Sequence, residues 1–255
     1  MRVDSVDSHC HLDAMDVDVA DAVAAARSVG ITRLITVGDS VESSQWCADT
    51  AASFDDVWAA VAIHPNHADA ANDAALATID RLACLPQVRA VGETGLDYYW
   101  GRVEQTVQAA SFRAHIAIAK THSKALVIHD RDAHDDVLRI LDDEGAPDRT
   151  VFHCFSGDAD FAQRCARHGY TMSFAGTVTF KNAQPLRDAL TVVPPELLLV
   201  ETDSPFLTPM PYRGRPNSPA MVPYTLRAMA QVRGVDEDEL AATVTANAER
   251  IFALW

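Results

Sequence analysis

Eight short apolar runs rich in β-branched residues recur along the chain, and nearly every one stops at a histidine or an acid. They lie at Arg2 to His9, Arg33 to Val37, Val57 to Ile63, Val88 to Gly92, Ala125 to His129, Thr150 to Cys154, Tyr170 to Phe174 and Leu197 to Glu201. Amphipathic, alanine-rich segments separate them, near residues 18–29, 42–53, 73–84, 103–122, 132–144, 158–168 and 183–191. Two further helical patterns, Ser218 to Gln231 and Asp236 to Phe252, close the chain, and Asp236 with Glu239 has the spacing of a capping box. Strands alternating with helices predict βαβ units around a parallel sheet. An open doubly wound sheet shares that alternation. The polar residues favour the closed form, because barrel enzymes carry their catalytic groups at the carboxyl ends of the strands. The expected fold is therefore α/β, a (β/α)8 TIM barrel built as one domain over residues 1–255, a length that suits such a barrel. Glu93 to Trp100 and the proline-rich stretch Asp203 to Pro219 interrupt the alternation and are expected to be active-site loops.

Composition narrows the function classes. With 48% hydrophobic and 22% charged residues the chain has the balance of a soluble globule with a substantial core. The opening residues hold no continuous apolar run, and no stretch approaches the roughly 18 apolar residues of a membrane helix, so a cytoplasmic location without membrane contact is expected. The five cysteines are irregularly spaced, which suits reduced thiols better than a disulfide framework. A net charge of -15 argues against a broad basic surface that grips a nucleic acid along many phosphates. A polyanion would have to be held locally, by metal ions and a few arginines in a cleft. Nothing in the sequence calls for an obligate protein partner.

The run-ending residues carry the chemistry. In His9-Cys10-His11 the two imidazoles share one face of a strand while Cys10 points the other way into packing. Such a pair is either a metal site or two hydrogen-bonded histidines. Glu93 stands where a strand is expected to stop and Gly92 and Gly95 to let the backbone turn, a place from which a carboxylate is able to bridge two cations. His129 and His153 each follow an apolar run, and Asp203 adds a second carboxylate. Four neutral imidazoles with two carboxylates suit zinc, manganese or magnesium, two ions in all. With no serine triad and no glycine-rich phosphate cradle in evidence, water is the expected nucleophile, and Asp203 is placed to orient it and take its proton. The bond attacked, whether phosphodiester, ester or amide, stays open on the ligands alone.

The ordered set DSHCHLD, AIHPNHA, GETGLDYYW, HDRDA, FHCFSG, ETDSPFLTP and YRGRPN resembles the TatD-type deoxyribonuclease family, a branch of the amidohydrolase-like metal-dependent hydrolases, over the whole chain. The resemblance implies a (β/α)8 barrel that cuts DNA with divalent metals, typically from the 3′ end, with DNA ends or short oligonucleotides as substrate and repair or turnover of fragmented DNA as its setting. It implies that His9, His11, Glu93 and Asp203 bind one metal and Glu93, His129 and His153 the other, with His64 beside them meeting the substrate phosphate. By the same resemblance Arg213 and Arg215 lie on the substrate-facing loop, where guanidinium groups fork onto phosphate oxygens. Tyr98, with Tyr99 and Trp100, is a candidate for stacking on bases. Asn66 stands where the family commonly has another histidine, and Trp100 where a basic residue is common. The competing expectations are a two-metal hydrolase of a small-molecule or aminoacyl ester or amide, and a catalytically silent metal-binding protein.

Overall fold

A computed structural model describes residues 4–253, so the expected start of the first strand at Arg2 lies outside the described residues. The strands are β1 (Ser5–Cys10), β2 (Ile31–Val37), β3 (Val57–Val61), β4 (Val88–Asp97), β5 (Ala125–Arg131), β6 (Thr150–Phe152), β7 (Thr171–Phe174) and β8 (Leu198–Val200). The helices are α1 (Val19–Ser28), α2 (Val41–Ser53), α3 (Asp73–Ala83), α4 (Gln105–Thr121), α5 (His134–Glu144), α6 (Ala159–Arg167), α7 (Gln184–Val192), α8 (Val222–Arg233) and α9 (Glu237–Phe252). The strands join one sheet in chain order, β1 to β8, with parallel pairing from β3 through β6 and between β7 and β8. Strand order equal to chain order, with a helix between successive strands, is the (β/α)8 barrel. β6, β7 and β8 are buried along their whole length because a parallel sheet is covered on both faces.

Within the chain, contacts gather into two compact units, one of residues up to Ile35 together with those from Cys154 onward, the other Thr36–His153. In the first, Phe174, Leu198, Leu226, Met229, Ile251 and Phe252 are almost wholly buried. Asn247 of α9 donates to the carbonyls of Pro195 and Leu198 and so anchors that helix beside β8. The expected start of α9 is present: the Asp236 side chain accepts the Asp238 and Glu239 amides, which would otherwise lack partners in the first turn. In the second unit Ile79, Phe112, Ile116, Leu126, Ile128 and Ile140 form the core, and each such side chain contributes roughly 1.5–3 kcal/mol by leaving water.

One expectation is corrected here. Glu93 to Asp97 is not loop but the second half of β4, paired with β5 through Thr94 with Ile128, Gly95 with His129, Leu96 with Asp130 and Asp97 with Arg131. The glycines that read as turn formers serve close approach instead. A Cβ on Gly92 would sit 2.5 Å from the Val127 Cβ, and one on Gly95, whose φ is +141°, would sit 2.1 Å from the His129 carbonyl oxygen. Only glycine lets β4 lie that near β5, and Glu93 thereby gains the rigidity of a strand.

His115, inside α4, secures the end of β3. Its Nε2 accepts the Ile63 amide at 3.1 Å and its Nδ1 faces the Ser111 carbonyl at 2.8 Å. Burial pushes the imidazole down to about 4, against the Ser111 bond. A folded-state value below the unfolded one means that the unfolded chain binds the extra proton, so the stability from neutral His115 is complete above about pH 6.5 and drains away as pH falls towards about 4. The loss is on the order of 3 kcal/mol. In metal-stripped protein, denaturant titrations across this window should show a shallower acid loss for His115→Gln than for the wild type, whatever the offset between them. Equal slopes would remove His115 from the acid response.

Candidate metal centre

In the first unit three run-ending residues converge. His9 is fully buried at the end of β1, His11 follows it, and their Nε2 atoms lie 3.3 Å apart. Asp203, just past β8, places Oδ1 at 3.4 Å from His11 Nε2 and 3.8 Å from His9 Nε2. Backbone bonds fix this meeting, since the Asp203 amide donates to the His9 carbonyl and the His11 amide to the Ser204 carbonyl. Asp203 has φ +54°, a left-handed conformation uncommon for a residue with a side chain.

Asp7, which the reading of run ends missed, sits beneath this group. It lies two residues before His9, so it points to the same side as His9 and His11, and that polar alternation in an apolar run was the available signal. Its Oδ1 accepts the Thr202 and His9 amides and its Oδ2 the Thr202 hydroxyl. Complete burial pushes Asp7 up to about 8 in spite of these bonds. Glu201, also buried, accepts the Cys154 amide at 2.8 Å. Cys10 packs against the Ile35 carbonyl, away from the imidazoles as expected.

In the second unit Glu93 is the hub. One carboxylate oxygen, Oε2, is 2.6 Å from His153 Nε2 and 3.4 Å from His129 Nδ1, while Oε1 is 4.0 Å from His64 Nε2. The rings of His64 and His129 are 4.4 Å apart and those of His129 and His153 5.7 Å. Burial alone would raise the Glu93 pKa, but His153, His64 and His129 together hold the carboxyl well below the usual carboxylate range. His64 is pushed down to about 4, chiefly by burial, and is therefore neutral near pH 7. Its Nδ1 accepts the Asn66 amide at 3.0 Å, so the Nε2 turned towards Glu93 carries the proton.

Asp97, at the end of β4, supports the hub. Its Oδ2 is 3.0 Å from His129 Nε2 and accepts the Asn66 side-chain amide, while its Oδ1 accepts the Tyr99 and Trp100 amides. Burial opposes the charge, yet the His129 and Trp100 bonds hold Asp97 at about 2. Burial would likewise lower His129, but the carboxylates of Asp97 and Glu93 on its two nitrogens raise it instead.

The donor set and its spacing fit divalent cations. Ligand atoms about 2.1 Å from a tetrahedral ion lie about 3.4 Å from one another. His11 stands at that separation from both His9 and Asp203, as Glu93 does from His129, while His9 and Asp203 are slightly wider apart at 3.8 Å. The ligand atoms of His64, Glu93 and His129 also lie within 4.8 Å of one another.

The expected substrate-facing residues make contacts of their own. Tyr98 donates its hydroxyl to Asp136 at 2.8 Å and, by burial and that bond, is pushed up to about 12. Arg213 lays its guanidinium 4.3 Å from the Phe180 ring centre and Arg215 lies 5.5 Å from that of Tyr212, both exposed on the loop after β8. That loop is irregular as expected, and Asn217 clips it back through bonds to the Thr202 and Phe206 carbonyls.

A parallel barrel whose strand ends deliver imidazoles and carboxylates defines the class, the metal-dependent hydrolases. Within it the chain belongs to the family described as TatD related DNase, whose pattern matches residues 6–253. The chain is 46% identical over 258 residues to a Mycobacterium tuberculosis protein named uncharacterized metal-dependent hydrolase TatD, covering 98% of each. It is 40% identical over 253 residues to the metal-dependent hydrolase YcfH of Escherichia coli, covering 97% of this chain and 95% of the relative. The crystal structure of YJJV, a TatD homologue from Escherichia coli, matches it with a TM-score of 0.93 at 27% identity over 99% of both chains.

Proposed function

We propose that this chain is a divalent-metal-dependent deoxyribonuclease that hydrolyses phosphodiester bonds at DNA ends, a 3′ to 5′ exonuclease of the cytoplasm acting in repair or in turnover of fragmented DNA. The observation that carries the reading is Glu93, a buried carboxylate held in its charged form by three imidazoles within 4.0 Å. The description of its family as TatD related DNase supports DNA as the substrate class.

In this reading residues 1–255 act as one domain with a two-metal centre, the metals being Mg2+, Zn2+ or Mn2+. His9, His11, Glu93 and Asp203 hold one ion, and Glu93, His129 and His153 the other. When bound, such ions supply Lewis acidity to a phosphate oxygen and make water a better nucleophile. Asp203 orients the attacking water and accepts its proton as the new P–O bond forms, while the P–O bond to the leaving sugar oxygen breaks and that oxygen takes up a proton from solvent. His64, neutral with its proton on Nε2, donates to a non-bridging phosphate oxygen. Arg213 and Arg215 offer guanidinium forks to neighbouring phosphates. Tyr98 would meet substrate through its ring, because its hydroxyl stays on Asp136.

Asp97 orients His129 and so acts as a positioning residue. Asp97→Asn is expected to lower metal affinity about 10- to 100-fold, the usual effect of losing a carboxylate behind a ligating histidine. Calorimetric titration with Mn2+ measures it, and an unchanged affinity would remove Asp97 from this role.

The function itself is tested by digesting 3′-labelled DNA and RNA oligomers, beside a panel of carboxylic esters and amides, with and without divalent metal. Metal-dependent release of nucleotides from the 3′ end is the expected result. Turnover of esters alone would replace the nuclease reading with the small-molecule one, and no turnover of any substrate would favour a silent metal-binding protein.

A further inference from the structure

Just beyond Asp97 the chain presents two large aromatic rings to water. Tyr99 is 57% and Trp100 52% exposed, and the two rings meet edge to face at 5.1 Å. Arg131, the last residue of β5, holds its guanidinium 3.9 Å from the Tyr99 ring centre and 5.6 Å from that of Trp100. Arg102 lies 5.2 Å from the Trp100 ring centre. Neither arginine forms an ion pair among the described residues, in a chain carrying 36 acids against 21 Lys and Arg.

Guanidinium groups without ion-pair partners, each lying over one face of a half-exposed ring, match a ligand that has both an anionic and a flat aromatic part. A nucleotide has both. A purely apolar peptide segment would leave the cations unused, and a bare phosphate would leave the rings in water. The patch is also tied to the hub: the Asp97 oxygen that accepts the Tyr99 and Trp100 amides belongs to the same carboxylate whose other oxygen meets His129.

We propose that Tyr99, Trp100, Arg131 and Arg102 form a subsite for one unpaired nucleotide of the substrate, its base stacked on the two rings and its phosphate held by the two guanidinium groups. The subsite rests on the nuclease reading for its role in turnover, and it makes an accessible base, besides the scissile phosphate, a determinant of which DNA ends are accepted. Asp97 sets its distance from the metal ligand His129 and is its positioning residue.

The test uses full-length protein and single-stranded oligodeoxynucleotides, either intact or carrying one abasic nucleotide stepped through the positions nearest the 3′ end. Binding is read by fluorescence anisotropy in the presence of chelator, and turnover with metal restored. Tyr99→Ala with Trp100→Ala should weaken binding of the intact strand roughly ten- to a hundredfold. One abasic position should cost the wild type a comparable factor and cost the double variant almost nothing more. Trp100→Phe should recover most of the loss, which guards against a folding defect. Arg131→Gln should lower the salt slope of binding by about one. In turnover the double variant's loss should fall on KM. Equal losses for intact and abasic strands in both proteins, or unchanged binding by the double variant, would overturn the subsite. Base-dependent binding without hydrolysis of DNA would keep the subsite and sink the nuclease reading. Hydrolysis with an unaltered KM in the double variant would do the reverse.

Discussion

Glu93→Gln should leave a folded protein with no measurable metal-dependent turnover. Glutamine keeps the shape of the side chain and an oxygen that accepts hydrogen bonds, so Gly92 and Gly95 still let β4 lie against β5. What disappears is the negative charge at the centre of His153, His129 and His64. In the proposed centre Glu93 is the only residue shared by both ions, so one substitution weakens both sites. Metal assistance supplies several kcal/mol of transition-state stabilisation, which corresponds to a loss of at least about a thousandfold in kcat/KM. Metal content after dialysis, measured by mass spectrometry, should fall in parallel, while circular dichroism stays that of the wild type. A Glu93→Gln protein with wild-type metal content and activity would show that the buried carboxylate is only a structural partner of His153.

Asp203→Asn should separate chemistry from metal binding. The amide oxygen can still take the place of Oδ1 beside His9 and His11, and the backbone bond from the Asp203 amide to the His9 carbonyl is untouched. The residue loses its ability to accept a proton. Removal of a positioned general base typically costs about 10²- to 10⁴-fold, so kcat should fall by that factor while KM and bound metal change little. Steady-state kinetics on labelled oligomers with parallel metal analysis would measure it. If Asp203→Asn lost its metal but, at saturating metal, turned over at the wild-type rate, Asp203 would act as a ligand alone and the base would have to be sought elsewhere. Together the two variants rank the carboxylates, Glu93 as the residue that holds the ions and Asp203 as the one that moves the proton.

Much of the fold was legible from local pattern. Eight runs became β1 to β8 in chain order, and the helical segments became α1 to α9 with ends displaced by a few residues. Run ends also brought together residues far apart in the chain: His9 and His11 with Asp203, and Glu93 with His129 and His153. What failed was the use of glycine as punctuation. Gly92 and Gly95 look like a turn in one dimension, and only the nearness of Val127 and His129 explains them as part of a strand. Asp7, Asp97 and His115 were missed for a related reason: each works by reaching a backbone or side chain distant in sequence, at Thr202, His129 and Ile63 respectively.

The sequence by itself determined the class of fold and offered the candidate metal-binding side chains, because period and residue chemistry are properties of single segments. The tertiary structure decided which groups stay charged and what supports them. Glu93 and Asp97 remain ionised although buried, Asp7 is pushed up to about 8, and His64 stays neutral with its proton on Nε2. Charge state follows from the balance of desolvation against neighbours, and those neighbours exist only once distant strands have been laid side by side.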